Sequence, residues 1–84
     1  MNKERILETL KRYIADEILE GDGADLEADT PLLELGVLNS LEVARMMSFV
    51  QRTMGFVVPA ASIRVENLGT LSAITDMVFA LQPK

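Results

Sequence analysis

Near the start of the chain Ile6, Leu7, Leu10, Tyr13, Ile14 and Ile18 recur at intervals of three and four. That period places them on one face of a helix running from Asn2, an acceptable N-cap, to about Leu19. Gly21 and Gly23 then stop it. The period returns in Val43, Met46, Met47, Val50 and Met54, and predicts an inward stripe on a second helix over Ser40–Met54. Gly55 follows where a left-handed C-cap residue is favoured. Leu41, Arg45, Ser48 and Arg52 fall on the opposite side. A last helix over Leu71–Leu81, capped by Thr70, carries Leu71, Ile74, Met77, Val78 and Leu81 on one face. Pro83 and Lys84 are expected to form a frayed tail.

Between these segments the pattern is weaker. Glu20 to Asn39 has no long period, yet it contains Leu26, Leu32, Leu33, Leu35, Val37 and Leu38. A loop of about twenty residues in so small a domain is expected to be functional. Its leucines can pin it to the helices, and Pro31 can start a short turn at Leu32–Leu35. Phe56-Val57-Val58-Pro59 predicts an extended connector, because the proline keeps Val58 out of the helical region. A brief third helix is expected at Ala60–Ile63. The whole chain, residues 1–84, then forms one all-α domain: a four-helix bundle with three long helices, one short, and a long loop between helices 1 and 2. No internal repeat or low-complexity tract interrupts it.

Composition narrows the chemistry. A chain of 84 residues buries only about 60% of the surface its unfolded form exposes. With 49% hydrophobic residues but three Phe and one Tyr, its core must be aliphatic, completed by five Met. The chain has neither Cys nor His, so disulfides, thiolate or imidazole metal ligands and Ser-His or Cys-His nucleophile pairs are excluded. Most self-contained enzymes are excluded with them. Met1-Asn2-Lys3-Glu4-Arg5 leads directly into a charged helical pattern without the apolar stretch of a signal peptide, and no run approaches the ~20 apolar residues of a membrane span. The expectation is a soluble, cytoplasmic monomer.

The net charge of −5 is uneven. Asp16, Glu17, Glu20, Asp22, Asp25, Glu27, Asp29, Glu34 and Glu42 occupy a stretch without Lys or Arg, between Arg12 and Arg45. Nucleic acid is not expected as a partner, because a phosphate backbone needs a basic face. The acidic run is either a solvated loop or a docking surface for basic partners. Calcium is not indicated. An EF-hand aligned on Asp25, Glu27 and Asp29 needs Gly at 30 and Glu at 36, where the chain has Thr30 and Gly36. No metal site is expected. The methionines Met46, Met47 and Met54 suit an adaptable lining for an acyl chain or, at this helical spacing, ordinary core.

Gly36-Val37-Leu38-Asn39-Ser40-Leu41-Glu42 joins the acidic loop to the second helix. Asn39 as N-cap with Glu42 three residues later resembles a capping box. Ser40 then lies in the first turn, where a serine often serves only the cap. A hydroxyl there is also suited to carry a phosphodiester, whose charge would meet unpaired N–H groups and the positive end of the helix dipole. Position alone does not name the modification.

Thr30-Pro31-Leu32, Gly36, Asn39-Ser40-Leu41, Met54-Gly55-Phe56, Val58-Pro59 and Thr70 to Ile74 stand in the order found in acyl and peptidyl carrier proteins, and the chain resembles that family over most of its length. The resemblance implies that Ser40 receives 4′-phosphopantetheine from coenzyme A, transferred by a separate phosphopantetheinyl transferase that uses Mg²⁺. It implies a thioester shuttle, not an enzyme, with an adenylating or acyl-loading enzyme and downstream tailoring or condensing enzymes as partners. Asn39 departs from the family's usual Asp; it keeps the cap and removes one charge. Leu38-Asn39-Ser40 in this setting resembles free-standing peptidyl carriers that hold prolyl or pyrrolyl groups in natural-product pathways. A second departure is that Glu42 is the only acid from 40 to 54, where fatty-acid carriers show several, while Arg45 and Arg52 are present. Leu41, Ala44, Arg45, Ser48 and Arg52 are therefore the expected partner-recognition residues, unless the two arginines merely aid solubility. The alternatives are a polyketide or fatty-acid acyl carrier and, from another class, a helical adaptor with no covalent arm.

Overall fold

Lys3–Tyr13 form α1 in a computed structural model that describes residues 2–19, 21 and 26–82. The expected stop at Gly23, the acids Glu20, Asp22 and Asp25, and the tail Pro83-Lys84 lie outside the described residues. Asn2 caps α1 as expected, its side-chain oxygen accepting the Arg5 N–H at 2.8 Å. The helix then widens into a π-helical turn over Ile14–Ile18, where the Leu19 N–H donates to the Ile14 carbonyl at 2.9 Å. That turn keeps Ile14 buried and lets both Ile18 and Leu19 rest against the core. Gly21, at φ 88°, takes the left-handed conformation after it.

Helix α2 is Ser40–Met54, ended by Gly55 at φ 82°, and α4 is Leu71–Leu81, capped by Thr70. Both match the boundaries drawn from the sequence. The short element does not. Ala60–Ser62 make only a 3₁₀ turn, and the third helix, α3, is Val65–Leu68. Burial decides this: Leu68 packs into the core, while Ala60 and Ala61 are exposed and bring no apolar anchor. The Asn67 amide ties the two pieces together by donating to the Ser62 carbonyl at 2.8 Å. No strand occurs among the described residues.

The core joins all four helices. Ile6, Leu10, Ile14, Met46, Val50, Leu71, Ile74 and Val78 are fully buried, and α1 packs chiefly on α4. The long loop contributes to it. Leu26, Leu32 and Leu38 are buried and Leu33 packs partly against the core, whereas Leu35 is 64% exposed, so the loop is held by most of its leucines but not by all of them. Leu32 is also its hydrogen-bonding centre. The carbonyl of Leu32 accepts from Val37 and Leu38, and its N–H donates to Gly69 at 2.8 Å. The expected turn after Pro31 is present, with the Leu35 N–H on the Pro31 carbonyl at 3.0 Å and Gly36 at φ 74°. Further back, the Ala28 carbonyl accepts the Ser72 N–H at 2.9 Å. The loop thereby satisfies one of the free amides at the start of α4.

Leu32→Ala should lower the unfolding free energy by about 2–5 kcal/mol, as for a buried leucine. Leu35→Ala should change it by no more than about 0.5 kcal/mol. Urea unfolding of both variants checks the difference, and equal effects would contradict the loop anchoring described.

Candidate attachment site at the start of α2

Two buried residues fix where α2 begins. Leu38 and Val43 stand at the positions of a hydrophobic staple, and both enter the core on either side of the cap. Asn39 between them is extended, at φ −122° and ψ −176°, so its side chain turns back over the first turn. Its Oδ1 accepts the Glu42 N–H at 2.9 Å, and its carbonyl accepts the Val43 N–H at 2.9 Å. The reciprocal half of the expected capping box is not made. Glu42 sends Oε1 to Arg45 at 3.0 Å instead, and its other carboxylate oxygen is buried without a partner. Arg45, three residues on, draws the carboxylate along the helix and away from the Asn39 amide.

Ser40 is the first residue of the helix and is exposed. The N–H groups of Ser40 and Leu41 have no acceptor within the helix, which is general for a helix start. A phosphodiester on this hydroxyl fits the residues present. It would meet two free amides and the positive helix terminus, with Asn39 adding no negative charge beside it. Leu35 and Leu41, 64% and 67% exposed, offer apolar surface on either side in sequence.

The expected recognition residues lie within one arc of about 100° on α2. All five, Leu41, Ala44, Arg45, Ser48 and Arg52, are exposed. At about 100° per residue, Ala44, Ser48, Leu41, Arg52 and Arg45 stand roughly 40°, 80°, 100°, 120° and 140° around the helix from Ser40. The arginines, at one side of this arc, also border a cleft with α1, floored by Tyr13 and Phe49, whose rings stack with centroids 4.3 Å apart. Sequence reasoning placed Tyr13 on the inner stripe but did not pair it with Phe49. The signal was weak, because Phe49 stands at the edge of the α2 stripe. Burial raises the Tyr13 hydroxyl above its ordinary pKa of 10.0; Arg45 opposes this, Glu42 and Glu17 add to it, and Arg52 opposes it. Among the described residues no group of acids is arranged to hold a metal ion, and no helix is long and apolar enough to cross a membrane.

Residues 8–78 match the family model described as the phosphopantetheine attachment site. The chain belongs to that family. It is therefore a carrier domain, a site of covalent 4′-phosphopantetheine attachment and not itself an enzyme, which works with a phosphopantetheinyl transferase and with partner enzymes. No curated protein sequence matches the chain. Among solved structures, it is similar to a chain of one described as the crystal structure of an FAD-dependent dehydrogenase. The TM-score is 0.78 at 30% identity, over 83% of this carrier and 99% of that chain.

Asn39→Ala should cost the carrier about 1 kcal/mol of stability as a lost cap, and Asn39→Asp should cost nothing, both read by thermal unfolding. Tyr13 adds a pH dependence. Because its folded-state pKa is raised, the folded form keeps a proton that the unfolded form has lost above pH 10. Stability from this group is full below that pH and falls as pH climbs through the raised value. Tyr13→Phe should flatten that alkaline limb in urea titrations.

Proposed function

We propose that the protein is a free-standing peptidyl carrier of a natural-product pathway, acting as a single cytoplasmic domain and a monomer, with 4′-phosphopantetheine on Ser40. The observation that carries the finer reading is the likeness to the chain from the dehydrogenase structure. At the stated coverage that chain is roughly 70 residues long. Such a length leaves no room for a flavin domain with its substrate site, so we read it as the carrier that accompanies the dehydrogenase. Leu38-Asn39-Ser40, the pattern of prolyl and pyrrolyl carriers, supports the same assignment.

On this reading an adenylating enzyme would activate proline as the acyl adenylate, and the prolyl group would pass to the arm's thiol with release of AMP. A flavin dehydrogenase then removes two hydrogen pairs to give the pyrrolyl thioester. Each pair would leave as a hydride to that enzyme's flavin and a proton to a base, with oxygen or another acceptor regenerating the flavin between them. The carrier's own contribution is presentation. Asn39 and the free amides would hold the phosphodiester end, and Leu41, Ala44, Arg45, Ser48 and Arg52 would offer contact surface to the enzymes.

Incubation with coenzyme A and a promiscuous phosphopantetheinyl transferase should add one phosphopantetheinyl group to the intact mass. Ser40→Ala should add none while keeping its helicity, since Asn39 retains the cap and Ala is a good helix former. A mass gain in the alanine variant would reject Ser40, and none in the wild type would favour a non-covalent adaptor. Loading by a proline-adenylating enzyme supports the peptidyl reading; loading by a malonyl transferase instead would make it an acyl carrier. Replacing Arg45 and Arg52 with Glu should slow the adenylating enzyme and improve handling by fatty-acid enzymes, most at low salt. Unchanged rates with both enzyme sets would remove the two arginines from recognition.

A further inference from the structure

Glu42 has two places for its carboxylate, and the structure holds it in one of them. Its Oε1 accepts from the Arg45 guanidinium at 3.0 Å, while Oε2 is closed off from solvent without a partner. Glu42 is also the third residue of α2 after the Asn39 cap, and from there a glutamate side chain can reach back to the N–H of the capping residue. The two arrangements compete for one carboxylate. What holds the forward one is a pair that a partner can open. The Arg45 side chain is 48% exposed and that of Glu42 only 16%, so an incoming group meets the guanidinium before the carboxylate. An exposed ion pair contributes little to stability. A guanidinium can grip a carboxylate with two parallel bonds, whereas here Glu42 uses a single contact. Arg45 and Arg52 leave this side of α2 basic, with Glu42 as its one acid, and a surface that presents carboxylates complements that charge.

We infer that Arg45 is the docking point for a carboxylate of a partner protein, and that Glu42 is a positioning residue which turns this contact into order at Ser40. The inference rests on the reading of Ser40 and of the α2 face given above. When the partner takes the guanidinium, Glu42 turns back, its carboxylate accepts the Asn39 N–H, and the capping box closes. Asn39 is then held through its side chain and its backbone together, and Ser40 follows it directly. Oε2 leaves a position where it was buried with no hydrogen bond, which offsets part of the cost of breaking the ion pair. The coupling is reciprocal: a closed box favours docking as much as docking favours the closed box. The root of the arm is therefore firmer with a partner seated than in the free carrier, and the arm is aimed when there is an enzyme to receive it.

The test follows the Asn39 amide by NMR and by hydrogen exchange in the unmodified, isotopically labelled chain at low ionic strength. Attachment at Ser40 is scored separately by intact mass, so the two readings fail in different experiments. A hexaglutamate peptide serves as the acidic surface and hexalysine as its control. In the wild type, hexaglutamate should shift the Arg45 side-chain signal, move the Asn39 amide signal and slow its exchange several-fold; hexalysine should do none of these. Arg45→Gln should hold the moved and slowed state without peptide, because nothing draws Glu42 forward. Glu42→Gln, which can complete the box but pairs weakly with a guanidinium, should do the same. Glu42→Ala should keep its helicity and the Arg45 response to hexaglutamate, and lose the response at Asn39. An Asn39 amide in Arg45→Gln that coincides with the wild type would show that the second arrangement does not exist. A response at Asn39 that survives Glu42→Ala would take Glu42 out of the path, and an unmoved Arg45 signal in the wild type would remove Arg45 as the docking point.

Discussion

The backbone hydrogen bonds from Leu32 to Gly69 and from Ser72 to Ala28 join parts of the chain about forty residues apart. The position of Ser40 depends on them. The loop ahead of Ser40 has no long helix of its own, and ordering such a segment is opposed by roughly 1–2 kcal/mol of backbone entropy per residue. Burial of Leu26, Leu32 and Leu38 offsets that entropy, and the two bonds set the direction in which the loop arrives. Since one of them ends on the first turn of α4, the loop and that helix stabilise each other. The serine is presented by the whole bundle, although it contacts little of it.

Wherever local pattern and burial agreed, the sequence was enough. Asn2, Asn39 and Thr70 each cap the helix expected of them, through side-chain acceptance of the N–H three residues on. Gly55 closes α2 in the left-handed conformation. The third helix was misplaced because a four-residue helix lies below the length at which propensity has force. Its location was decided by Leu68 reaching the core, a tertiary fact that Ala60-Ala61 could not reveal. The incomplete capping box has a related cause. Asn39 and Glu42 have the right spacing, but whether Glu42 turns back or forward depends on Arg45, which the pattern ignores.

The candidate site was legible to the same extent. Ser40 and its cap follow from a few adjacent residues, so sequence reasoning could reach them. The cleft beside the α2 surface did not follow, since it needs the position of α1. The face expected to meet partners is one arc of α2, and its arginine side also borders the cleft facing α1. Glu42, the single acid on that helix, is turned to Arg45 and largely withdrawn from solvent. The exposed side of α2 is therefore basic and apolar in a protein whose net charge is negative.

Tyr13 is the only tyrosine in a chain that has no tryptophan. All intrinsic fluorescence excited near the tyrosine band thus comes from one ring, stacked on Phe49 where α1 faces α2. Its emission and its near-ultraviolet circular dichroism report on that junction without any introduced label. The carrier holds a built-in optical gauge of whether its first two helices remain seated against each other as a partner or cargo approaches.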